Sequence, residues 1–326
     1  MHCNVFGRRR RALLLALALV PIAATPALAY PDKPITMIVP NTAGGANDAV
    51  ARVFAKELST QLGQQVVVEN RAGAGGNIGT ASVARGAKDG YTLLMTVSSG
   101  QAINPLLYKN AGFDPVKDFA PIGAVGSVPN VMLVNKTVKA DNLQAFVAEA
   151  RSNPGKFRYG SAGNGTLPHL LPAMLAERAQ IELTHVPYKG IAQALTDVLG
   201  GEIPVVFATV PAALPHVKSG ALRALAVTSP QRIAALPDVP AIAELYPGYQ
   251  GVLWIALYAP AGVPSDVVDR LGKALSAARQ SPEVRTRLAE MGVEGMDDGP
   301  EQLRKRLEAE MAQWAAVIKQ AKVQVD

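Results

Sequence analysis

Twice in this chain, more than a hundred residues apart, a short β-prone run gives way to a glycine turn and then to a helical period. The first copy runs Ile35-Thr36-Met37-Ile38-Val39, then Pro40-Asn41-Thr42-Ala43-Gly44-Gly45-Ala46-Asn47-Asp48. Behind it Val50, Val53, Phe54, Leu58 and Leu62 recur at helical spacing, with Asn47 or Asp48 as the expected N-cap. The second copy is Phe157-Arg158-Tyr159, then Gly160-Ser161-Ala162-Gly163-Asn164-Gly165-Thr166, then a helix expected over 169–178. A glycine turn that opens a helix leaves backbone N–H groups unpaired at the positive end of the dipole, which makes an anion site out of backbone. Either turn alone is equally a plain connection. Two of them, one from each of two lobes, can grip one small anion.

The rest of the chain alternates in the same way, which argues for an α/β protein with mostly parallel sheets. Strands are expected over 36–40, 66–69, 92–97, 131–134, 157–159, 182–186, 205–207, 222–227 and 253–258. Helices are expected over 48–62, 77–87, 143–152, 192–200, 266–280, 282–291 and 300–319. In the last, Leu303, Leu307, Met311, Trp314 and Ile318 form one apolar stripe, read as core packing, and Pro300 suits the first turn. Crossovers between lobes are expected around 127–134 and 249–260. That division puts residues 30–130 and 250–326 in lobe 1 and residues 131–249 in lobe 2.

Residues 1–29 read as a secretory signal peptide. Arg8 to Arg11 make the basic region, an apolar run over 12–20 follows, and Ala27-Leu28-Ala29 is an A-x-A cleavage site. The apolar run is shorter than the roughly 20 residues a membrane span needs. Cys3 lies ahead of that run and is not a lipobox cysteine. The arginine pair also permits twin-arginine export, but its usual flanking residues are missing, so the general secretory route ranks first. Cleavage changes the charge. Four of the 32 basic residues lie in the leader, which leaves 28 against 26 acidic ones, a net +2 in place of +6. No basic tract interleaved with aromatics remains, which excludes an ordinary nucleic-acid surface. The single cysteine of the chain leaves as well, so the exported protein is held by its core and not by disulfides.

Catalytic and metal chemistry find little support. His169, His185 and His216 are far apart in sequence and lack metal-ligand spacing, so no metal and no cofactor is expected. Ser161 lacks the Gly-x-Ser-x-Gly frame of a nucleophile elbow. Gly73-Ala74-Gly75-Gly76-Asn77-Ile78-Gly79 departs from dinucleotide spacing and reads as a tight loop entering a helix. Arg71 and Lys189 read as surface or loop-fixing residues. An exported enzyme acting on carboxylates and a ligand sensor feeding a signalling partner stay open as alternatives to a transport receptor.

Further motifs join these turns. They include Tyr30-Pro31-Asp32-Lys33-Pro34-Ile35, Val67-Val68-Glu69-Asn70-Arg71-Ala72-Gly73, Asp89-Gly90-Tyr91-Thr92-Leu93 and Phe113-Asp114-Pro115-Val116-Lys117-Asp118-Phe119. His185-Val186-Pro187-Tyr188-Lys189-Gly190, Leu222-Arg223-Ala224-Leu225-Ala226-Val227-Thr228, Leu236-Pro237-Asp238-Val239-Pro240 and Ala259-Pro260-Ala261-Gly262-Val263-Pro264 follow in order. With this set, spread over the whole exported chain, the sequence resembles the Bug family, the periplasmic solute receptors of tripartite tricarboxylate transporters. The resemblance implies a type II periplasmic-binding-protein fold, two α/β lobes with a carboxylate in the cleft between them. It implies a ligand site drawn from Thr42, Ala43, Gly44, Gly45, Ala46 and Asp48, from Ser98 and Ser99, from Ser161, Gly163, Asn164, Gly165, Thr166 and His169, and from the position of Ala208. It also implies a monomer in the periplasm, with a small carboxylate and the membrane subunits of such a transporter as partners. The family often has an aromatic where Asn41 stands and aspartate where Pro204 and Ala208 stand. Without those acids an amino-acid ligand loses the counter-charge for its ammonium group, which favours a simple mono- or dicarboxylate.

Overall fold

The computed structural model describes residues 1–2, 30–320 and 323; the expected signal peptide lies outside the described residues. The chain first builds β1 (Ile35–Val39), α1 (Ala46–Leu62), β2 (Val66–Asn70), α2 (Asn77–Ala84) and β3 (Thr92–Val97). A single π turn, Ser99–Ile103, leads into the short α3 (Asn104–Leu107) and then the long β4 (Phe119–Val134). Next come α4 (Leu143–Ser152), β5 (Phe157–Ser161), α5 (Leu167–Ala179), β6 (Leu183–Pro187), α6 (Ile191–Gly200), β7 (Val205–Thr209), α7 (Val210–Lys218) and β8 (Arg223–Val227). The chain closes with β9 (Val252–Pro260), α8 (Ser265–Gln280), α9 (Pro282–Glu290), β10 (Glu294–Gly295) and α10 (Pro300–Gln320).

The strands follow the order β2-β1-β3-β9-β4-β7-β5-β6, with β8 and β10 also paired to β4. On one side β1 runs parallel to both β2 and β3; on the other β5 runs parallel to both β6 and β7. These parallel ladders are joined through antiparallel β9 and β4. Helices cover both faces, which explains why Ile35, Met37, Ile38 and Val39, which point to both faces of β1, are all fully buried. One apolar core lies between the first ladder and α1, α8 and α9, around Phe54, Leu58, Leu271 and Leu275. A second lies under α6 and α7, around Val131, Leu195, Val206 and Ala213. The largest core runs beneath α4, α5 and α10, where Phe146, Leu171, Met174, Trp254 and Trp314 meet.

β4 belongs to both halves of the sheet. Residues 119–129 pair with β9, and residues 130–134 pair with β7. Where the pairing changes, Thr228 clips the strands together. Its Oγ1 accepts the Asn130 N–H at 3.0 Å and donates to the Gly251 carbonyl at 2.7 Å. Its own N–H donates to the Asn130 carbonyl at 2.9 Å, and its carbonyl accepts the Gly251 N–H at 3.1 Å. α10 begins at Pro300 and buries Leu303, Leu307 and Trp314 of its stripe, with Met311 and Ile318 half-buried beside them. Among the described residues no helix is long and apolar enough to cross a membrane.

Two expectations about elements need correction. α1 is capped by Gly45, in extended backbone at φ −78°, and not by Asn47 or Asp48. Both of those side chains lie inside the first turn and fold back on the preceding loop. A helix over 210–218 and the first half of β4 were absent from the sequence reading. Pro211 and Pro215 disguise the helix, and two prolines with two glycines disguise the strand.

Candidate functional site

A cavity of about 290 Å³ opens between the two halves of the sheet. Its wall takes Gly75, Ser99, Asn104, Leu107 and Tyr108 from the first half, and Ala162, Asn164, Gly165, Thr166, Leu167, Pro168, Ile191 and Thr209 from the second. Asn130 and Leu253, from the two strands that join the halves, close the wall. No Lys, Arg, His, Asp or Glu lies among these residues. Of the residues expected at a ligand site, Ser99, Asn164, Gly165 and Thr166 therefore meet on one surface.

The second glycine turn is held from behind by two histidines. Gly165 sits at φ +76°, a conformation glycine adopts without strain, and its N–H donates to His169 Nδ1 at 3.1 Å. Accepting through Nδ1 fixes His169 as the neutral Nε2–H tautomer. The His169 ring stacks on His185 with centroids 3.7 Å apart and planes 7° from parallel. His185 Nε2 lies 2.6 Å from Ser161 Oγ, and Ser161 Oγ accepts the Gly163 N–H at 3.0 Å. Thr166 Oγ1 closes the turn onto the Gly163 carbonyl at 2.7 Å. Burial pushes the His169 ring down to about 4, helped by the neighbouring His185, and burial pushes His185 down to about 4 as well. Both are neutral at pH 7. The expectation that the histidines stand apart is thus overturned for this pair: β6 lies beside β5, and α5 packs on both. His216 stays separate, on α7. His169 and Ser161 serve the turn from its buried side and are not in the cavity wall. Among the described residues no cluster of three or more His, Cys, Asp or Glu has a metal-holding arrangement.

The first glycine turn is supported differently. Gly44, at φ +84°, donates its N–H to Asp48 Oδ2 at 2.9 Å. Asp48 also receives Arg52 Nε at 3.1 Å and Asn70 Nδ2 at 3.0 Å. Asp48 is buried, and burial alone would raise its carboxyl; Arg52, the Gly44 N–H and Asn70 outweigh this and hold it below the usual range. Asn47 Nδ2 ties the turn to Asn41 Oδ1 and to the Met95 carbonyl. Thr42, Ala43, Gly44, Gly45 and Ala46 face solvent and do not line the cavity.

Ser98 is buried, with its Oγ donating to the Val252 carbonyl at 3.3 Å. Ala208 is fully buried in the core beneath α6 and α7. It lies on the opposite face of β7 from its neighbour Thr209, so the strand's two-residue alternation gives the cavity to Thr209. Arg71 holds Glu69 and Ser82, as a loop-fixing residue does. The residues 73–79 do form a tight loop entering a helix, yet Gly75 reaches the cavity wall, where Asn104 Nδ2 pins its carbonyl at 2.9 Å. Sequence reasoning missed Gly75, Asn104, Tyr108, Asn130 and Thr209 as wall residues. A usable signal existed only for Gly75, in the glycine run itself.

Comparison with known proteins agrees across the chain. A protein-family model described as "Tripartite tricarboxylate transporter family receptor" matches residues 50–323. Protein BugT of Bordetella pertussis is 39% identical over 293 residues, covering 89% of this chain and 90% of that one. The solved structure of Rpa4515 from R. palustris with adipate is 34% identical at a TM-score of 0.77, covering 90% of this chain and 99% of its own. MatC from Rhodopseudomonas palustris with bound malate is 29% identical at a TM-score of 0.73, covering 89% and 100%. The architecture is the two-lobe α/β fold of periplasmic solute-binding proteins.

Proposed function

We infer that this chain, which belongs to the tripartite tricarboxylate transporter receptor family, captures a small carboxylate in the periplasm and presents it to the membrane subunits of such a transporter. One observation carries the reading. The cavity between the halves contains no charged side chain, yet one wall is the turn that opens α5, where the helix dipole and the N–H groups of Asn164 and Leu167 supply positive potential. Relatives caught with adipate and malate show that a site on this fold takes carboxylates.

In this reading residues 30–130 and 250–326 form lobe 1 and residues 131–249 lobe 2, with the passages near Asn130 and Gly251 as the hinge. Asn164, Gly165, Thr166 and Ser99 contact the ligand. Thr42, Ala43, Gly45 and Ala46 reach it when the lobes close. Gly44, Asp48, Ser161, Gly163 and His169 set the two turns rather than touching the ligand, and Ala208 supports Thr209. The protein acts as a monomer and as a receptor, not an enzyme. Ser161 and His185 do stand at the distance of a nucleophile and its base. Ser161 is however fully buried, its Oγ is occupied by the Gly163 N–H, and no carboxylate is bonded to His185 among the described residues.

A thermal-shift panel of C4 to C8 dicarboxylates, aromatic carboxylates and acidic amino acids tests the reading. A true ligand at a hundredfold excess over its dissociation constant stabilises the protein by about 2.7 kcal/mol. Amino acids are expected to score worst, because the cavity wall offers their ammonium group no acid. On protein stripped of co-purified ligand, a panel without a single carboxylate hit would refute the receptor reading.

A further inference from the structure

Asn130 is a buried side chain with nothing to bond to. It is 1% exposed, and neither Oδ1 nor Nδ2 of its carboxamide has a hydrogen-bond partner. Buried amides are almost always paired, because an unpaired one keeps the whole cost of leaving water. The backbone at Asn130 is, by contrast, fully engaged, with N–H and carbonyl both bonded to Thr228.

The sheet directs this side chain. Asn130 lies opposite Thr209 in the antiparallel register of β4 and β7. The next pair, Val131 with Ala208, points into the core under α6 and α7. The pair after that, Met132 with Phe207, points to the opposite face. Two-residue alternation therefore puts Asn130 and Thr209 together on the face of Met132 and Phe207, and both residues line the cavity. The same wall carries hydrocarbon from Leu107, Leu167, Ile191 and Leu253, and uncharged polar groups from Ser99, Asn104, Tyr108, Asn164 and Thr166.

We propose that Asn130, resting on the carboxylate-receptor reading above, is the specificity-determining residue for the body of the ligand, and that it selects a carboxylate bearing an uncharged hydroxyl or carbonyl group. A carboxamide offers one acceptor and two donors side by side. A hydroxyl satisfies both kinds of site, and a carbonyl accepts from the donors. A second carboxylate fits worse, because its charge would leave water in a wall with no cation to balance it. The backbone turn at α5 takes the ligand's charged end, the leucines and isoleucine take its hydrocarbon, and Asn130 reads the neutral polar group.

The test uses matched pairs of carboxylates that differ by one hydroxyl or keto group, such as hexanoate with its hydroxylated forms and benzoate with the hydroxybenzoates. Titration calorimetry compares the wild-type protein with Asn130→Leu. In the wild type at least one polar member should bind about tenfold or more tightly than its plain partner, the worth of one well-placed hydrogen bond. In Asn130→Leu that preference should vanish, the polar and plain members then binding within about threefold of each other. If Asn130→Leu does not fold by circular dichroism, Asn130→Ala is read in the same way. A preference that survives substitution, or a wild type that favours plain or doubly charged members, overturns the proposal and leaves the receptor reading standing. A panel in which no carboxylate binds overturns both.

Discussion

The two glycine turns look alike in sequence and share one device in structure. In each, a positive-φ glycine gives its N–H to the side chain four residues downstream: Gly44 to Asp48 and Gly165 to His169. The devices differ in charge. Asp48 places an anion in the first turn of α1, where it partly cancels the positive end of that helix. His169 is neutral and leaves the end of α5 uncancelled. The Asp48 turn faces solvent, and the His169 turn faces the cavity. A strand–glycine–helix pattern therefore marks a site where an anion can be held, but the residue that braces the glycine decides how strongly. On the proposed function, the histidine-braced turn is the one expected to be the primary grip.

The largest expected effect comes from removing that brace. His169→Ala should let the Gly165 turn lose its conformation and cost the preferred carboxylate more than about tenfold in affinity by calorimetry, while His169→Asn recovers part of it. Asp48→Ala should cost stability and leave affinity within about threefold, because removing an anion also raises the potential at α1. The opposite ranking would break the comparison.

Acid sharpens it. His169 holds its proton less readily in the fold than in the unfolded chain, so the stability it supports is complete above about pH 6.5 and is lost as pH falls towards about 4. Protonated Nδ1 would set N–H against the Gly165 N–H, and the stacked His185 cannot tolerate a second charge. Among the described residues Tyr159, Ser161, Glu177 and Gln320 are polar groups beside the pair, and Glu177 and Gln320 line an adjoining groove with it. Asp48 shifts in the same direction but in a lower window: its support persists down to its own unfolded value and is lost only below it. Melting temperature and carboxylate affinity should both fall between pH 6.5 and 4.5, and His169→Asn should flatten that slope. An unchanged profile in the variant would assign the slope elsewhere.

The smallest effect is expected at Gly45. Its φ of −78° already suits proline, so Gly45→Pro removes one N–H donor without strain. Affinity should fall by about threefold, from a single contact made on closure. A loss exceeding that of His169→Ala would promote the first turn to the main site.

Much of this architecture was legible in the sequence because it is periodic. The apolar stripe of α10 and the buried runs of β1 and β3 follow from spacing alone. What stayed hidden has local causes that contradict the local pattern. The first half of β4 carries Pro121, Gly123, Gly126 and Pro129, composition that reads as loop, and the strand survives through register shifts against β9 at 121–123 and 124–126. The histidine stack is invisible from sequence because its members come from α5 and β6 and meet only when β5 and β6 pair. Ala208 and the cavity-lining Thr209 are one residue apart, and in a strand one residue is the other face. Asn130 could not be found at all, since its distinction is the absence of partners.

The threonine clip makes the second half of the molecule a cassette. The chain departs at Asn130 and comes back at Gly251, and both ends are bonded to the same residue, Thr228. Everything between is an excursion whose entrance and exit sit one side chain apart. The block must bring Leu171 and Met174 in a form that still fits Trp314 of α10. Thr209, Ile191 and the histidine-braced turn travel with it, while Asn130 stays at the threshold. Chimaeras cut there would inherit their grip on the carboxylate from one parent and their reading of its neutral group from the other.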